Sequence, residues 1–444
     1  MKVLEYLNEQ PIRAFALRKE LSAMNMVDIG EIFDDLSKEQ TIQLFRLLPK
    51  DIAANVFAYI ETDKQQIIIE ALTDNEVGNI IEGLFADDAA DFIEEMPANV
   101  VNRVLKSIND EKRAIINQLL QYPEYSVGSI MTTEYMTLRE DNNLIEAFEE
   151  IRTRRMKGLH TCYVLRRDKL LVGIVPLRRL LLAKEHERIG DIMSRTVISA
   201  QTHDDQEKAA RLFRKYDLLS LPVVDKEGRM VGIITVDDAV EIVEEEATED
   251  FEKMAAILPS EEPYLKTGVL KHAYRRVGWL LILMLTAILT EMIISDVQEL
   301  LAVLPALLVF MPMLMDMGGN VGSQTSTLII RSMALDEIGI SDILTVWWRE
   351  IRIALLCGII LSIINAARVF IFNSGNVWLT LTVTLTLLAV IAISKSLGCL
   401  LPMAAKRINL DPAILATPII KTIADVMALL MYFAIASVLI PELR

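Results

Sequence analysis

The sequence has little of the chemistry on which most enzymes and small secreted domains depend. Its 444 residues include only three cysteines and four histidines, and aromatic residues make up 6% of the chain. Cys162, Cys357 and Cys399 lie too far apart to indicate a zinc finger, a disulfide scaffold or a redox pair. We find neither a nucleophile–base arrangement nor a phosphate loop, so we expect no enzymatic activity. A hydrophobic content of 52% excludes a wholly disordered chain.

Charge and hydrophobicity are separated along the chain. The formal net charge is −16, and 50 of the 61 acidic residues precede residue 271, together with 33 of the 45 basic ones. The rest of the chain is nearly neutral and strongly apolar. Because an acidic soluble region repels nucleic acid and attracts cations, we expect cation partners and no nucleic acid.

The apolar part contains five stretches that each reach the roughly 20 residues needed to cross a membrane. They cover residues 277–295, 300–333, 344–371, 377–402 and 411–440. In lipid the backbone must satisfy its own hydrogen bonds, so these stretches predict five helices packed in a membrane.

The orientation of these spans follows from the basic residues. Lys271, Arg275 and Arg276 precede the first span, whereas the next link carries acids and no base. The N-terminal region is therefore expected in the cytoplasm and the C-terminus outside. The first residues are amphipathic and charged, so we expect no cleavable signal sequence.

Asp425 is an ionisable residue near the middle of the fifth span. A carboxylate at that depth needs water, a cation or a partner, and intramembrane charges are functional by default. We interpret it as a cation site in a pore. The alternative is an internal pair with Lys421, one helical turn away.

The second span carries glycines at 318, 319 and 322 between Asp316 and a run of amides and hydroxyls that includes Asn320. Glycines permit close helix approach, and the polar groups can line water or bond across helices. Ordinary small-residue packing is the alternative.

Residues 20–122 repeat a short helical pattern every 24 residues, which predicts a small solenoid of helical hairpins. Within it, Asp87 and Asp91 lie one turn apart on one helix face. They are candidates for a divalent cation site, although acids near a helix N-terminus are also favoured by the helix dipole.

An internal duplication follows. Residues 127–131 are echoed at 189–193, and Val172-Gly-Ile is echoed by Val231-Gly-Ile. The duplication resembles a tandem pair of CBS domains, an α/β module that often binds adenosine nucleotides. The resemblance implies that Thr235 and Asp238 of the second copy engage the ribose of ATP or another adenosine nucleotide. The first copy carries Pro176 and Arg179 at the matching positions.

Between Glu241 and Glu252 every charged residue is acidic. Helical spacing places Glu241, Glu245 and Glu249 on one face, where like charges repel. A solvated helix is one interpretation. The other is a clamp that divalent cations neutralise, since this run joins the soluble region to the first span.

The whole chain resembles the MgtE family of magnesium channels or transporters. The resemblance rests on residues 318–331, 410–418, 422–425 and 122–132. The implied domains are an acidic helical domain over 1–127, CBS domains over 128–188 and 189–241, a connecting plug helix over 242–273 and a five-helix transmembrane domain over 274–444.

The resemblance further implies a homodimer in the cytoplasmic membrane that imports Mg²⁺ and is closed by cytosolic Mg²⁺. The implied pore positions are Gly318, Gly319, Asn320, Thr417, Lys421, Thr422 and, as the metal site, Asp425. The implied sensor positions are Asp87, Asp91, Asp205, Glu207, Asp237, Asp238, Glu246, Glu249 and Asp250. Lys421 and Thr417 depart from the family pattern. Two alternatives stay open: an exporter or exchanger of Mg²⁺ or Co²⁺, and a non-conducting cation or nucleotide sensor.

Overall fold

The structure is a computed structural model in which the chain divides into two compact units, Met1–Val243 and Glu244–Arg444. It describes residues 3, 6–7, 14–154, 156, 159–260, 264–265, 267–372, 376–415 and 417–440, with the backbone alone at 51, 299, 300, 303, 415 and 417.

Short helices α1 to α9 form the first part of unit one. Their bounds are Ala14–Leu21, Met26–Ile32, Lys38–Leu47, Lys50–Ala58, Thr62–Ala71, Asp74–Gly83, Ala86–Glu95, Ala98–Ser107 and Asp110–Leu119. Capping boxes at Ser37 and Thr73 fix the starts of α3 and α6 by pairing side chains with exposed backbone N–H groups. From α2 to α9, most helices pack against the second one along the chain, whereas α5 packs against α3 and α8, which matches the predicted stack of hairpins.

The core of this stack is an aromatic ladder. Phe33, Phe45 and Phe57 recur every twelve residues, and their rings meet edge to face at 6.4 and 6.0 Å. Phe92 continues the row at 5.3 Å from Phe57. Such edge-to-face pairs stabilise a core beyond their buried area, so these rings tie α3, α4 and α7 to the 3₁₀ turn that follows α2.

Two α/β copies complete unit one. The first consists of β1 (Met136–Leu138), α10 (Leu144–Arg154), β2 (Thr161–Leu165), β3 (Leu171–Pro176) and α11 (Leu177–Leu182). The second consists of α12 (Ile189–Ile192), β4 (Ala200–Gln201), α13 (Gln206–Tyr216), β5 (Ser220–Val224), β6 (Met230–Thr235) and the start of α14 (Val236–Met254). In each copy the middle strand pairs parallel with the first strand and antiparallel with the third, as the duplication predicts.

The two copies interlock through reciprocal contacts. A side chain at Gly173 would meet the Met193 sulfur at 2.6 Å, and one at Gly232 would meet the Met131 sulfur at 2.7 Å. The backbone carbonyl oxygens of Ser194 and Thr132 lie 3.0 and 2.8 Å from the same added atoms, so each glycine leaves room for the methionine and the following residue of the opposite copy. This contact explains why the Val-Gly-Ile and Gly-x-Ile-Met motifs occur twice.

The second unit is helical beyond the end of α14. Its helices are α15 (Val269–Asp296), α16 (Gln298–Val303), α17 (Met311–Ala334), α18 (Ile343–Phe372), α19 (Val377–Arg407) and α20 (Thr417–Leu439). Among the described residues, four helices are long and apolar enough to cross a membrane: α15, α18, α19 and α20. The count of five spans stays a prediction, because α17 is long but rich in polar residues and glycine.

Three boundaries differ from the sequence prediction. The stretch 300–333 is not one helix, because Pro305 opens a 3₁₀ segment that ends at Phe310 before α17 begins. The last span begins at Thr417 rather than 411, after a 3₁₀ turn over Pro412–Leu415. The helix of the 242–273 segment begins earlier, at Val236, and ends at Met254. Ala256 then adopts a left-handed conformation, with a φ of 55°, of the kind that follows helix ends.

Small residues bring α17, α19 and α20 together. A side chain at Gly398 of α19 would lie 2.4 Å from the Gly322 carbonyl oxygen of α17. Only glycine allows the two backbones to approach this closely. The glycine-rich stretch therefore serves helix packing in addition to any role in a pore.

Candidate functional site

The intramembrane carboxylate of Asp425 lies on α20, eight residues after the start of the helix. Its Oδ1 atom is buried and has no hydrogen-bond partner. Asp425 and Thr422 line a cavity of about 520 Å³ that also borders α15 and Met315 of α17. A buried carboxylate oxygen without a donor is costly in the membrane, so this atom needs water or a cation as its partner.

Lys421 lies one turn before Asp425 but forms no ion pair with it within 4.0 Å in the described part of the chain. The lysine is exposed in the single chain, and its stem covers Gly319, whose added Cβ would lie 2.7 Å from Lys421 Cγ. The sequence left open an internal Lys421–Asp425 pair. The structure instead leaves the carboxylate within the electrostatic field of Lys421 and Asp316 without direct contact.

The other predicted pore positions occupy two different environments. Asn320 is exposed and its Nδ2 donates to Oδ2 of Asp316 at 2.9 Å, one turn away on α17. Gly318 is buried, and a Cβ added to it would lie 3.0 Å from Val390 Cγ1. Thr422 lines the Asp425 cavity while its hydroxyl donates to the Pro418 carbonyl at 3.0 Å. The side chain of Thr417 lies outside the described residues.

A second carboxylate group lies in unit one. Asp87 and Asp88 of α7 and Asp237 and Asp238 of α14 line one cavity of about 760 Å³ between the helical stack and the α/β copies. Asp87 is 8% exposed, and its Oδ1 is buried without a hydrogen-bond partner. The helix α7 brings two of the acids and the first turn of α14, directly after β6, brings the other two, so residues 150 positions apart line one cavity.

The surroundings of the acids in and near this cavity raise their pKa values. Burial, followed by the charges of Asp238 and Asp88, raises the pKa of Asp87 well above its usual value. Burial raises the pKa of Asp238 to about 6, against hydrogen bonds from Thr235 that lower it. Asp91 keeps an exposed side chain outside the cavity, where crowding by protein atoms and then Asp88 and Glu94 raise its pKa to about 7. A bound cation would reverse these shifts by stabilising the ionised forms.

The candidate nucleotide residues border the same cavity. Thr235 donates from its backbone nitrogen and from its hydroxyl to Oδ2 of Asp238, at 3.1 and 2.6 Å. The cavity volume falls within the roughly 300–1,000 Å³ typical of small-molecule sites. The cavity is therefore large enough for a small molecule.

Asp205 and Glu207 make local contacts, and their predicted sensor role stays a prediction. Asp205 caps α13 by accepting from the backbone nitrogen of Glu207 at 2.8 Å. Glu207 pairs with Arg211 at 3.6 Å. Neither residue lines the cavity that holds Asp87 and Asp238.

Of the acids at the end of α14, Glu249 has a partner that the sequence did not indicate. Lys253 binds Glu249 at 2.7 Å and Asp411 at 2.7 Å. Burial opposes the charge of Lys253, but its hydrogen bonds to Asp411 and Glu249 raise its pKa overall. Lys253 thereby ties α14 to the loop that precedes the helix of Asp425. Glu246 and Asp250 lie half-buried on the same helix.

Sequence reasoning also missed a buried ion pair in unit two. Lys395 of α19 lies 2.9 Å from Glu350 of α18, with side chains only 10% and 12% exposed, and its Nζ donates to Thr325 of α17 at 3.1 Å. A lysine in the middle of an apolar span was the available signal. Its partner could not be read, because it lies 45 residues away on another helix.

Within the described residues, no three side chains of Asp, Glu, His or Cys meet closely enough to ligate a metal ion directly. Mg²⁺ usually keeps several waters and is held by one or two carboxylates. Both cavities therefore suit a hydrated ion rather than a closed protein cage.

Known proteins match the chain in the same order of parts. Residues 311–435 match the MgtE divalent cation transporter domain, residues 24–125 the MgtE intracellular N domain, and residues 127–186 and 189–245 CBS domains. The chain is 33% identical to the magnesium transporter MgtE of Thermus thermophilus, over 98% of this chain and 97% of that one. Identity to the magnesium transporter MgtE of Bacillus subtilis is 30%, over 100% and 98% of the two chains.

A solved structure, the cytosolic domain of the Mg²⁺ channel MgtE in complex with ATP, covers 52% of this chain and 96% of its own, with a TM-score of 0.50 and 33% identity. The helical stack, the duplicated α/β copies and the apolar helices thus agree with the matched domains. The chain belongs to the MgtE family of divalent cation transporters and is a multi-pass protein of the cell membrane.

Proposed function

We propose that the protein is a magnesium channel that carries Mg²⁺ into the cell and is closed by cytosolic Mg²⁺. The observation that supports this most directly is the buried, unpartnered Oδ1 of Asp425 beside a cavity among membrane helices. Relatives that match the full length are magnesium transporters. A carboxylate that contacts the ion through water supplies charge without stripping its hydration shell, which suits the slow dehydration of Mg²⁺.

The functional unit in this proposal is a homodimer with Asp425 of each copy at the pore. Asp316, Asn320, Lys421 and Thr422 lie near that carboxylate. Gly318 and Gly319 contribute close helix packing, and Thr417 remains a proposed position at the pore mouth.

Closure in this proposal depends on the crowded acids of unit one. Burial and mutual repulsion disfavour the ionised forms of Asp87 and Asp238, so Mg²⁺ bound beside them stabilises the conformation that brings them together. Asp91, Asp237, Glu246, Glu249 and Asp250 would add charge to that state. Asp205, which caps α13, and Glu207, which pairs with Arg211, would contribute least.

We further propose that the second CBS copy binds an adenosine nucleotide through Thr235 and Asp238. Because Asp238 also belongs to the acid cluster, ligand and cation would meet at one side chain. We propose five domains with these functions, none of them catalytic. Their boundaries are 1–127, 128–188, 189–241, 242–273 and 274–444.

Electrical recording of the purified full-length protein in a planar bilayer tests the function. We expect a current that reverses at the Mg²⁺ equilibrium potential and falls when Mg²⁺ on the cytoplasmic face is raised. Flux that requires a counter-ion would indicate an exchanger. Absence of both current and flux in folded protein would leave only the sensor hypothesis.

A further inference from the structure

We propose that Glu291 of α15 is a second cation-attracting carboxylate, which recruits hydrated Mg²⁺ on the outer side of Asp425. The inference rests on the proposed transport function and adds a residue to it. Glu291 and Asp425 line the same cavity of about 520 Å³.

One face of α15 borders this cavity. Leu283, Ala287, Glu291 and Ile294 follow each other at intervals of three or four residues, which is the repeat of a single helix face. The outer half of the cavity wall is more polar, because Thr290 and Ser295 of α15 and Gln298, the first residue of α16, also line the cavity near Glu291. The cavity thus becomes polar toward the outer end of the helix.

The depth of the two carboxylates differs. Glu291 lies five residues before the outer end of α15, about 8 Å at the rise of a helix. Asp425 lies eight residues after the cytoplasmic start of α20, about 12 Å into that helix. Glu291 is therefore the outer of the two along a common wall.

Ionisable side chains such as Glu291 are rare in membrane-spanning helices. An ionised side chain facing lipid is expensive, whereas one facing a water-filled cavity keeps its hydration. Six waters occupy about 180 Å³ at the density of the liquid, well within 520 Å³. The cavity therefore has room for an octahedral hydrated Mg²⁺, and a second negative wall raises the local concentration of cations at its outer part.

Uptake of Mg²⁺ by proteoliposomes, measured against external Mg²⁺, tests the assignment. In Glu291→Gln we expect the external Mg²⁺ needed for half-maximal uptake to rise about tenfold, since the focusing charge is lost. Glu291→Asp should stay close to wild type. Met292→Gln places the same amide on the neighbouring position, which does not line the cavity, and should have no effect.

A thiol variant separates charge from folding, because it is modified after reconstitution. In Glu291→Cys with Cys357→Ser, a membrane-impermeant sulfonate reagent added outside restores a negative charge and should restore uptake at low Mg²⁺. The trimethylammonium analogue should lower it further. Equal responses to both reagents, or no modification from outside because a second copy fills the cavity, would overturn the assignment.

Asp425→Asn distinguishes a failure of the Glu291 assignment from a failure of the proposed transport function. Loss of uptake in Asp425→Asn together with unchanged Mg²⁺ dependence in Glu291→Gln would remove the role of Glu291 alone. Normal uptake in Asp425→Asn would remove the transport site itself.

Discussion

The two units of the chain treat charge in opposite ways. In unit one Asp87, Asp88 and Asp238 crowd around a single cavity, and their repulsion adds to the cost of burial. In unit two Glu350 is neutralised by Lys395, whereas Asp425 and Glu291 border a cavity. Crowded acids repel each other until a cation binds, and several residues contribute to this binding. A carboxylate such as Asp425, in contrast, has no neighbour that can replace it.

The largest expected effect comes from neutralising one carboxylate in each unit. Asp425→Asn should reduce Mg²⁺ uptake by proteoliposomes to the level of empty vesicles, since no other acid lies at that depth of α20. Asp87→Asn, the matched change in the crowded cluster, should leave maximal uptake intact and only weaken closure by cytosolic Mg²⁺. Similar losses of uptake in both variants would break the comparison.

The buried pair should affect stability rather than closure. Glu350→Gln leaves the Lys395 ammonium buried without its counter-charge, which should cost about 3 kcal/mol of folding free energy. Denaturant unfolding of the detergent-solubilised protein measures this. The double variant Glu350→Gln with Lys395→Met removes both charges and should recover most of the loss. A double variant as unstable as the single one would show that the pair is not the source.

Protons should compete with Mg²⁺ in unit one. The folded-state pKa values of Asp238 and Asp91, about 6 and 7, lie above the ordinary 3.8. The folded cluster therefore binds protons more tightly than the unfolded chain, and its ionisation as pH rises through this range destabilises it unless a cation binds. Lowering cytoplasmic pH from 7.5 to 5.5 should raise the Mg²⁺ needed for half-closure about tenfold. A pH-independent closure curve would contradict the shifts.

The smallest expected effect concerns Lys421. Its charge acts on Asp425 without direct contact, so Lys421→Thr should raise uptake by about two- to threefold, the range of a weak exposed charge interaction. Lys421→Arg keeps the charge and serves as the control. A decrease in Lys421→Thr would indicate that the lysine stem over Gly319 is needed for packing.

Sequence patterns gave the order of domains because each pattern is local. The 24-residue repeat, the duplicated Gly-x-Ile-Met motif and the long apolar runs each reflect contacts within one or two elements. The predicted element boundaries were wrong where a single residue ends or starts a helix, as at Pro305 and Ala256. The sequence did not indicate ion pairs between distant parts of the chain, such as Lys253 with Asp411 and Lys395 with Glu350. The roles of the individual site residues stay predictions.

The exchange of Met131 and Met193 between the two α/β copies has a consequence for engineering. Met193 of the second copy contacts Gly173 of the first, and Met131 of the first contacts Gly232 of the second. A copy taken from a different protein therefore fits only if it carries both the methionine and the glycine. A chimaera joined between residues 186 and 189 keeps Met131 with Gly173 in one copy and Met193 with Gly232 in the other. Oxidation of either sulfur to the sulfoxide would place a polar group in the contact between the copies.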